Sequence, residues 1–546
     1  MSGHDMKKYG LLLLLLAVSI LPLFDLLHRG LPVTHDGQDH VARIANFYLS
    51  LSEGHIVPRW AGNLNWGYGH PILMFLYPLP SYMASLFHLV GFSFVDATKL
   101  VFAITYIASI SAMYLWGRAQ FGNIPGFIAA LLYGFAPYRF VDLYVRGAIG
   151  EHVAFIWPPV IFWALLQLAR NKRFAGVIIS MTMAGLILSH NAISLMVLPL
   201  VILYGLYLYY FEVKDRLWFA VCSLWSLALG FLLSSFFWIP AFFEGKYTLR
   251  DIVTKGDIYD RFVDPVKFIM SFWSYGGGNE VSKFLGFLQW LVILACVVVF
   301  WRTKKKEIRW FTGGAFAVLF GSLFLMTSAS EFIWQKVQLL QKFQFPWRLL
   351  TISVTATSVI GGIVARAVPK RLGFIVIVFV TVVSGLTTFR MWRAKEYIAR
   401  PEQFYRDIYE STTDTGESSP IWSIRFMERK PLAPIEVIDG KAMFTTVRRS
   451  TTQHRYEVVA SKKTRIVENT LYFPGWKIYV DGSEASVEFQ DPQYRGLMTF
   501  WLEEGTHGVN VVFGETKLRQ ASNALSIIGI ILLVGGIITA KRFKRT

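Results

Sequence analysis

The sequence predicts a mainly α, polytopic membrane protein with about twelve transmembrane helices, outer interfacial helices and a small extracytoplasmic β-sandwich near the C-terminus. Three observations predict it. The 546-residue chain is 54% hydrophobic, with many apolar runs close to the roughly 20 residues that span a bilayer. Its net charge of +18 sits in short Lys/Arg clusters between those runs, as the positive-inside rule requires. Between the last two apolar runs lies a polar segment of strand-like stretches separated by Gly turns.

Taken in order, the apolar segments fall near 9–28, 71–91, 97–117, 123–139, 153–169, 174–190, 192–211, 217–241, 284–301, 310–329, 348–366, 372–390 and 521–540. The first has no small-residue cleavage site after it and is read as an uncleaved helix. The basic connectors are Met6–Lys8, Arg118, Asn171–Arg173, Lys214–Arg216, Arg302–Lys306, Arg366–Arg371 and Lys541–Arg545. They share one side of the membrane only if 71–91 does not cross. That segment carries Pro71, Pro78 and Pro80 as well as His88, and proline removes helix hydrogen bonds that lipid cannot replace. It is therefore expected to lie along or dip into the outer interface, with both termini cytoplasmic. Residues 29–96, 139–152, His190-Asn191, 242–283, 330–347 and 391–520 then face outward. The segments divide as a helical domain over 1–392, a β-rich outer domain over 393–520, and a final helix with a basic tail over 521–546.

Strands are expected at Ile435–Val437, Tyr456–Val459, Arg465–Phe473, Lys477–Val480, Leu497–Leu502 and Gly508–Phe513. Asp439-Gly440, Pro474-Gly475, Asp481-Gly482 and Glu504-Gly505 supply the turns. Asp414–Pro420 reads as loop. Cys222 and Cys296, the only cysteines, lie inside apolar runs and exclude a disulfide framework or a Cys-rich metal site. The basic charge follows topology, so nucleic acid is not an expected partner.

Candidate chemistry gathers in the outward segments. Asp36, Asp39 and His40 have i, i+3, i+4 spacing and share a face of a helix starting near Asp36. Asp36 could act as a general base or cation ligand. It could equally cap the helix. Asp142, Arg146 and Glu151 form a second acidic loop, in which Arg146 suits a phosphate or carboxylate or an internal pair with Asp142. His190-Asn191 ends one helix. Arg348, in Phe345-Pro-Trp-Arg348, could hold a lipid phosphate or anchor the helix at the interface. Lys336 and Lys342 add charge without specificity. Gly276-Gly-Gly278 reads as flexible loop and, lacking a neighbouring strand and helix, not as a phosphate loop.

In arrangement, this order of a first crossing, an outer loop with an early Asp, surface helices and a second acidic loop resembles the GT-C superfamily of membrane glycosyltransferases. More narrowly the chain resembles the YfhO-like and "6-pyruvoyl-tetrahydropterin synthase-related" membrane proteins. The matching stretches are His35-Asp36 with His40, Pro58–Trp60, Gly67-Tyr-Gly-His-Pro71, Phe75–Pro78, Leu143–Arg146 with Glu151, Ser189–Asn191, Phe345–Arg348 and Phe473–Trp476. That family label borrows an enzyme name; no residue pattern here points to pterin chemistry.

The resemblance implies that Asp36 is the catalytic carboxylate, that Asp142 or Glu151 is the second acidic position, and that the donor is a sugar on a polyprenyl phosphate. Asp39 and His40, on the same helical face as Asp36, join it with Asp142 and Glu151 as the catalytic candidates. Arg146, His190, Asn191, Arg348, Tyr68 and His70 are then the substrate-binding residues. The first loop has no adjacent Asp-Glu pair or Asp-x-Asp, and no Trp-Trp-Asp signature occurs. A divalent cation, magnesium or manganese, on Asp36, Asp142 and Glu151 is the one cofactor these carboxylates would admit. The expected protein is an inverting glycosyltransferase of the cytoplasmic membrane, acting on a cell-envelope glycan, lipid or protein acceptor. The alternatives are a transporter or flippase of lipid-linked saccharides, which calls for internal symmetry where the sequence has no obvious inverted repeat and its acidic residues cluster at one face, and a non-catalytic glycan-binding scaffold.

Overall fold

A computed structural model describes residues 3–254, 259–276 and 280–542. Gly277 and Gly278 of the expected glycine loop, and Lys544 and Arg545 of the basic tail, lie outside them.

Each of the twelve apolar segments assigned to cross is helical. Among the described residues nine helices are long and apolar enough to span a bilayer: Gly10–Leu27, Phe94–Phe121, Ile149–Ala169, Asn191–Phe211, Arg216–Leu233, Lys306–Leu325, Pro346–Ala367, Lys370–Met391 and Lys517–Lys541. A tenth arises if Asn123–Gly134 and Pro137–Arg146, bent by 47°, count as one span. Ala175–Ser189 and Phe287–Arg302 are shorter apolar helices. The segment 71–91 breaks at its prolines into Ile72–Phe75 and Leu79–Leu89. The longer piece has 11 residues, about 16 Å of helix, too short to cross about 30 Å of hydrocarbon.

Pro346–Ala367 is the central helix, since 89% of its spanning window is buried inside the protein against 11% for Lys517–Lys541. It is rich in Ser and Thr, whose hydroxyls donate to its own backbone carbonyls, as Thr355 does to Thr351. Gly361 lets its neighbour approach closely: a Cβ there would lie 2.0 Å from Leu132. Small residues serve this purpose between membrane helices.

Past the first helix the chain forms β1 (Leu31–Pro32), which pairs antiparallel with β2 (Tyr397–Ile398). The two-residue ladder clamps the first loop to the segment leaving helix 370–391. Residues 399–430 then run over the end of the bundle, with one short helix, Gln403–Arg406.

The C-terminal sheets are formed by β3 (Ile435–Asp439), β4 (Ala442–Arg449), β5 (Gln453–Ala460), β6 (Thr464–Leu471), β7 (Trp476–Val480), β8 (Ser483–Glu484), β9 (Leu497–Leu502) and β10 (Gly505–Phe513). One sheet has the order β4-β5-β10-β7-β8, the other β3-β6-β9. The β7–β8 turn is Asp481-Gly482, both at positive φ, as a two-residue hairpin demands. Alternate residues of β5 are buried and meet the other sheet, where His454 Nδ1 lies 2.9 Å from Glu468 Oε1 of β6. β4 went unread because it is an edge strand exposed along most of its length, so no face imposes alternation.

The sandwich is fixed to the bundle. Arg519, fully buried, pairs with Glu244 at 2.8 Å and donates to the Pro474 carbonyl at 2.6 Å. Trp60 packs edge-on against Trp476.

Candidate active site

At the sandwich end of the bundle lies a cavity of about 1100 Å³, walled by the start of helix 37–52, Phe75–Tyr77, Arg146, His190–Asn191, Phe231–Phe242, residues 342–348 and residues 413–417. One wall is charged and the other is apolar, with Phe231, Phe237, Trp238 and Phe242. Phe242 is 61% exposed on the bundle surface, so the apolar wall is continuous with the lipid-facing side.

Asp36 stands at the cavity edge, half-buried. Its backbone is pinned from both sides: its N–H donates to the Arg146 carbonyl at 2.9 Å, and its own carbonyl accepts from His40 N–H. Its side chain does not cap helix Gly37–Ser52. Thr34 does, its Oγ1 accepting from Gly37 N–H at 3.0 Å. The Asp36 carboxylate forms no hydrogen bond or ion pair with any other described residue. Of the two readings of Asp36, the cap is therefore ruled out.

One turn on, Asp39 accepts from Tyr409 Oη at 3.3 Å. Burial pushes its carboxyl upward, with Arg43 opposing and Asp36 adding to the effect. His40 is buried, and desolvation with nearby Arg43 holds it well below its ordinary value, hence neutral. Arg43 donates to His40 Nδ1 at 3.1 Å. Arginine has no acceptor, so the His40 proton sits on Nε2. Arg43 also donates to Thr413, through Nε to Oγ1 at 2.9 Å and through a second nitrogen to the carbonyl. Thr413 has a φ of +65°, a left-handed conformation unfavourable for a β-branched residue. The guanidinium thus ties the first loop to residues 411–417.

The second acidic loop is built differently from the expectation. Pro137–Phe140 leads into a π-turn, Val141–Arg146. Asp142 and Glu151 are completely buried and do not line the cavity. Both turn onto Arg146, each at 2.6 Å. Glu151 Oε1 also accepts from Tyr138 at 2.6 Å and from Thr351 at 2.7 Å. Arg348 Nε approaches Glu151 at 3.9 Å. Asp142 and Glu151 are thus not catalytic groups of this cavity; they hold Arg146 and Arg348 at its wall. A bare guanidinium in a low-dielectric site needs such compensation. The expected cation triad fails for the same reason: among the described residues no three His, Cys, Asp or Glu side chains are placed to hold a metal.

His190, Asn191 and Arg348 do line the cavity. His190 Nδ1 accepts from Ile193 N–H at 3.3 Å, and its ring stacks on Tyr77 at 4.9 Å. Asn191 donates to the Phe75 carbonyl at 3.0 Å, leaving its buried Oδ1 unpartnered. Arg348 donates to the Phe343 carbonyl and Gln344 Oε1, both at 3.0 Å, while its Nε makes no hydrogen bond and has only the longer approach to Glu151.

Tyr68 and His70, expected to bind substrate, are buried away from the cavity. His70 Nε2 lies 3.2 Å from Ser419 Oγ, whose proton goes to the Arg425 carbonyl. They secure loop 57–71 beneath residues 411–427 and β6.

Three contributors lie outside the sequence-based expectation: Arg43, Thr413 and Asp414. Arg43 continues the 36/39/40 face by one turn, so its spacing was legible. Thr413 and Asp414 sit in turn-rich chain about 370 residues from the first loop, and carried no signal.

The family model described as "6-pyruvoyl-tetrahydropterin synthase related domain; membrane protein" matches residues 73–398. An uncharacterized protein of Lactococcus lactis subsp. cremoris is 24% identical over 251 residues, covering 43% of this chain and 40% of the relative. The match therefore takes in less than half of that relative's length. Among solved structures, the arabinofuranosyltransferase AftD from Mycobacteria gives a TM-score of 0.44 at 15% identity, over 72% of this chain and 28% of AftD. ArnT from Cupriavidus metallidurans bound to undecaprenyl phosphate gives 0.41 at 15%, over 73% and 68%. The oligosaccharyltransferase AglB from Archaeoglobus fulgidus gives 0.46 at 12%, over 76% and 61%. Likeness at these scores fixes no shared chemistry.

Proposed function

The chain belongs to the 6-pyruvoyl-tetrahydropterin synthase related family of membrane proteins, and on that premise we propose that it is a membrane glycosyltransferase using a polyprenyl-phosphate-linked sugar. The observation that carries this reading is the Asp36 carboxylate, unpartnered among the described residues, in a cavity whose wall also presents Arg146 and Arg348. A base needs a free lone pair aimed into the site, and a phosphate leaving group needs fixed positive charge. Both are supplied within one cavity that opens along an apolar wall suited to a prenyl chain.

In this mechanism the donor phosphate rests near Arg348 and Arg146, with its lipid along Phe231, Phe237, Trp238 and Phe242. Asp36 takes the proton of an acceptor hydroxyl. The oxygen attacks the anomeric carbon from the face opposite the phosphate, the carbon–phosphate-oxygen bond breaks, and the electron pair leaves on the lipid phosphate. The configuration inverts. Arg146 and Arg348 stabilise the dianion that develops. Asp39 and His40 support the base: Asp39 raises the local negative potential, and His40 with Arg43 keeps the helix start in place. The acceptor, a cell-envelope glycan, lipid or protein, enters from the sandwich side, on the outer face of the cytoplasmic membrane.

The test is transfer of radiolabelled sugar from polyprenyl-phosphate donors by purified wild type and Asp36→Asn, with and without chelator. A positioned base contributes about a hundred- to ten-thousand-fold, and the variant should lose that much while keeping its elution profile and thermal midpoint. Full activity in Asp36→Asn rejects Asp36 as base. Tight donor binding by a wild type that transfers nothing favours the transporter or scaffold.

A further inference from the structure

A second cavity, of about 850 Å³, lies at the opposite end of the same helices. Helices 191–211 and 350–367 each reach the charged cavity near their first turns, at Asn191 and next to Arg348, and the second cavity with their later residues, Leu200–Phe211 and Thr355–Val359. Helix 306–325 closes it and begins there, at Lys306. The two cavities therefore open at opposite faces of the bundle.

The second cavity has a chemical polarity of its own. Its wall is aromatic, with Trp116, Phe162, Tyr204, Tyr207 and Phe311. Two of the aromatic polar atoms are tied to protein partners: Trp116 Nε1 donates to Tyr204 Oη at 3.1 Å, and that hydroxyl donates to Gln120 at 2.7 Å. Most of what faces the void is apolar, with Leu200, Leu203, Leu206, Val318 and Val359 beside the rings. Its mouth carries Lys304, Lys306 and Arg309, and among the described residues no carboxylate lines it. Among the described residues none of these three cations pairs with a carboxylate. Trp301 and Trp310, 76% and 63% exposed, flank the cations, as Trp does at headgroup level. Gly313 and Gly314 leave one wall bare, since a Cβ at either would meet no atom within 4 Å.

From this we infer a lipid site: an anionic glycerophospholipid of the leaflet opposite the charged cavity, its phosphate on Lys304, Lys306 and Arg309 and its acyl chains in the aromatic groove. Basic pockets between transmembrane helices on the cytoplasmic side recognise such headgroups, and that leaflet is where anionic lipid concentrates. An apolar void with three cations at its rim, none paired with a carboxylate, matches a molecule that is apolar at one end and negative at the other. The site stands apart from the proposed transfer reaction.

Native mass spectrometry of the full chain tests it, with phosphatidylglycerol and phosphatidylcholine offered at equal mole fraction. Each Lys or Arg at the surface favours an anionic headgroup, and three together give about a hundredfold preference for phosphatidylglycerol. Wild type should retain one phosphatidylglycerol under activation that strips phosphatidylcholine. Lys304→Gln, Lys306→Gln and Arg309→Gln combined should abolish the preference, and Gly314→Leu should abolish retention by filling the groove. Equal retention of the two lipids by wild type, or undiminished retention by the combined variant, overturns the assignment. So does stronger retention of a polyprenyl phosphate than of phosphatidylglycerol. If Gly314→Leu fails to fold, the combined variant decides alone, because its three side chains are exposed.

Discussion

Glu151→Gln should destabilise the protein severely, although Glu151 touches no cavity. One carboxylate oxygen accepts from Tyr138 at 2.6 Å and Thr351 at 2.7 Å, the other from Arg146 at 2.6 Å. Arg348 stands 3.9 Å from that second oxygen. A glutamine amide in its place keeps one acceptor but must aim either its carbonyl or its NH2 at Arg146. With the NH2 there, two donors oppose each other and Arg146 retains only Asp142. Removing one partner of a buried pair costs about 3–5 kcal/mol, a factor of roughly 10²–10³ or more in the folding equilibrium. The assay is equilibrium unfolding in mixed micelles, followed by tryptophan fluorescence and size exclusion. A single variant within about 1 kcal/mol of wild type would refute the claim that Glu151 compensates the arginines, since an exposed pair is worth no more than that.

Thr34→Ala should cost about 1 kcal/mol through loss of the bond to Gly37 N–H, read as a lower unfolding midpoint, whereas Asp36→Ala should leave that midpoint in place. Burial pushes His70 down to about 4, so its neutral form belongs to the fold. Its stabilisation is complete above its ordinary value near 6.5 and is lost as pH falls from there through about 4. The loss amounts to about 3 kcal/mol, and His70→Gln should flatten the acid limb of the pH–stability curve. Gly150→Ala would put a Cβ 2.0 Å from the Tyr77 ring and 2.7 Å from the Ser189 carbonyl. Overpacking of that size costs about 1–3 kcal/mol, and displacing Tyr77, which stacks on His190 in the cavity wall, should raise the donor KM as well as lower the midpoint.

The sequence by itself determined what depends on local period and composition. Apolar length placed the helices, since each must cover its own backbone in lipid. The three prolines of 71–91 marked the segment that stays short. Alternation and Gly turns located β3, β5, β6, β7, β9 and β10 where one face is buried. The spacing of Asp36, Asp39 and His40 put them on one helical face, a feature of 3.6-residue geometry that needs no partner. The tertiary structure decided which polar groups are free. Whether Asp36 caps its helix was settled by Thr34, a competing acceptor three residues before Gly37. Whether Asp142 and Glu151 face the cavity was settled by Arg146, whose charge cannot lie buried without them. Tyr68 and His70 look like site residues in sequence but pack under residues 411–427. Arg43 acquires its role only when Thr413, 370 residues further on, folds over it. A carboxylate's chemistry is set by whether something else claims its lone pairs, and that claimant is chosen by the fold.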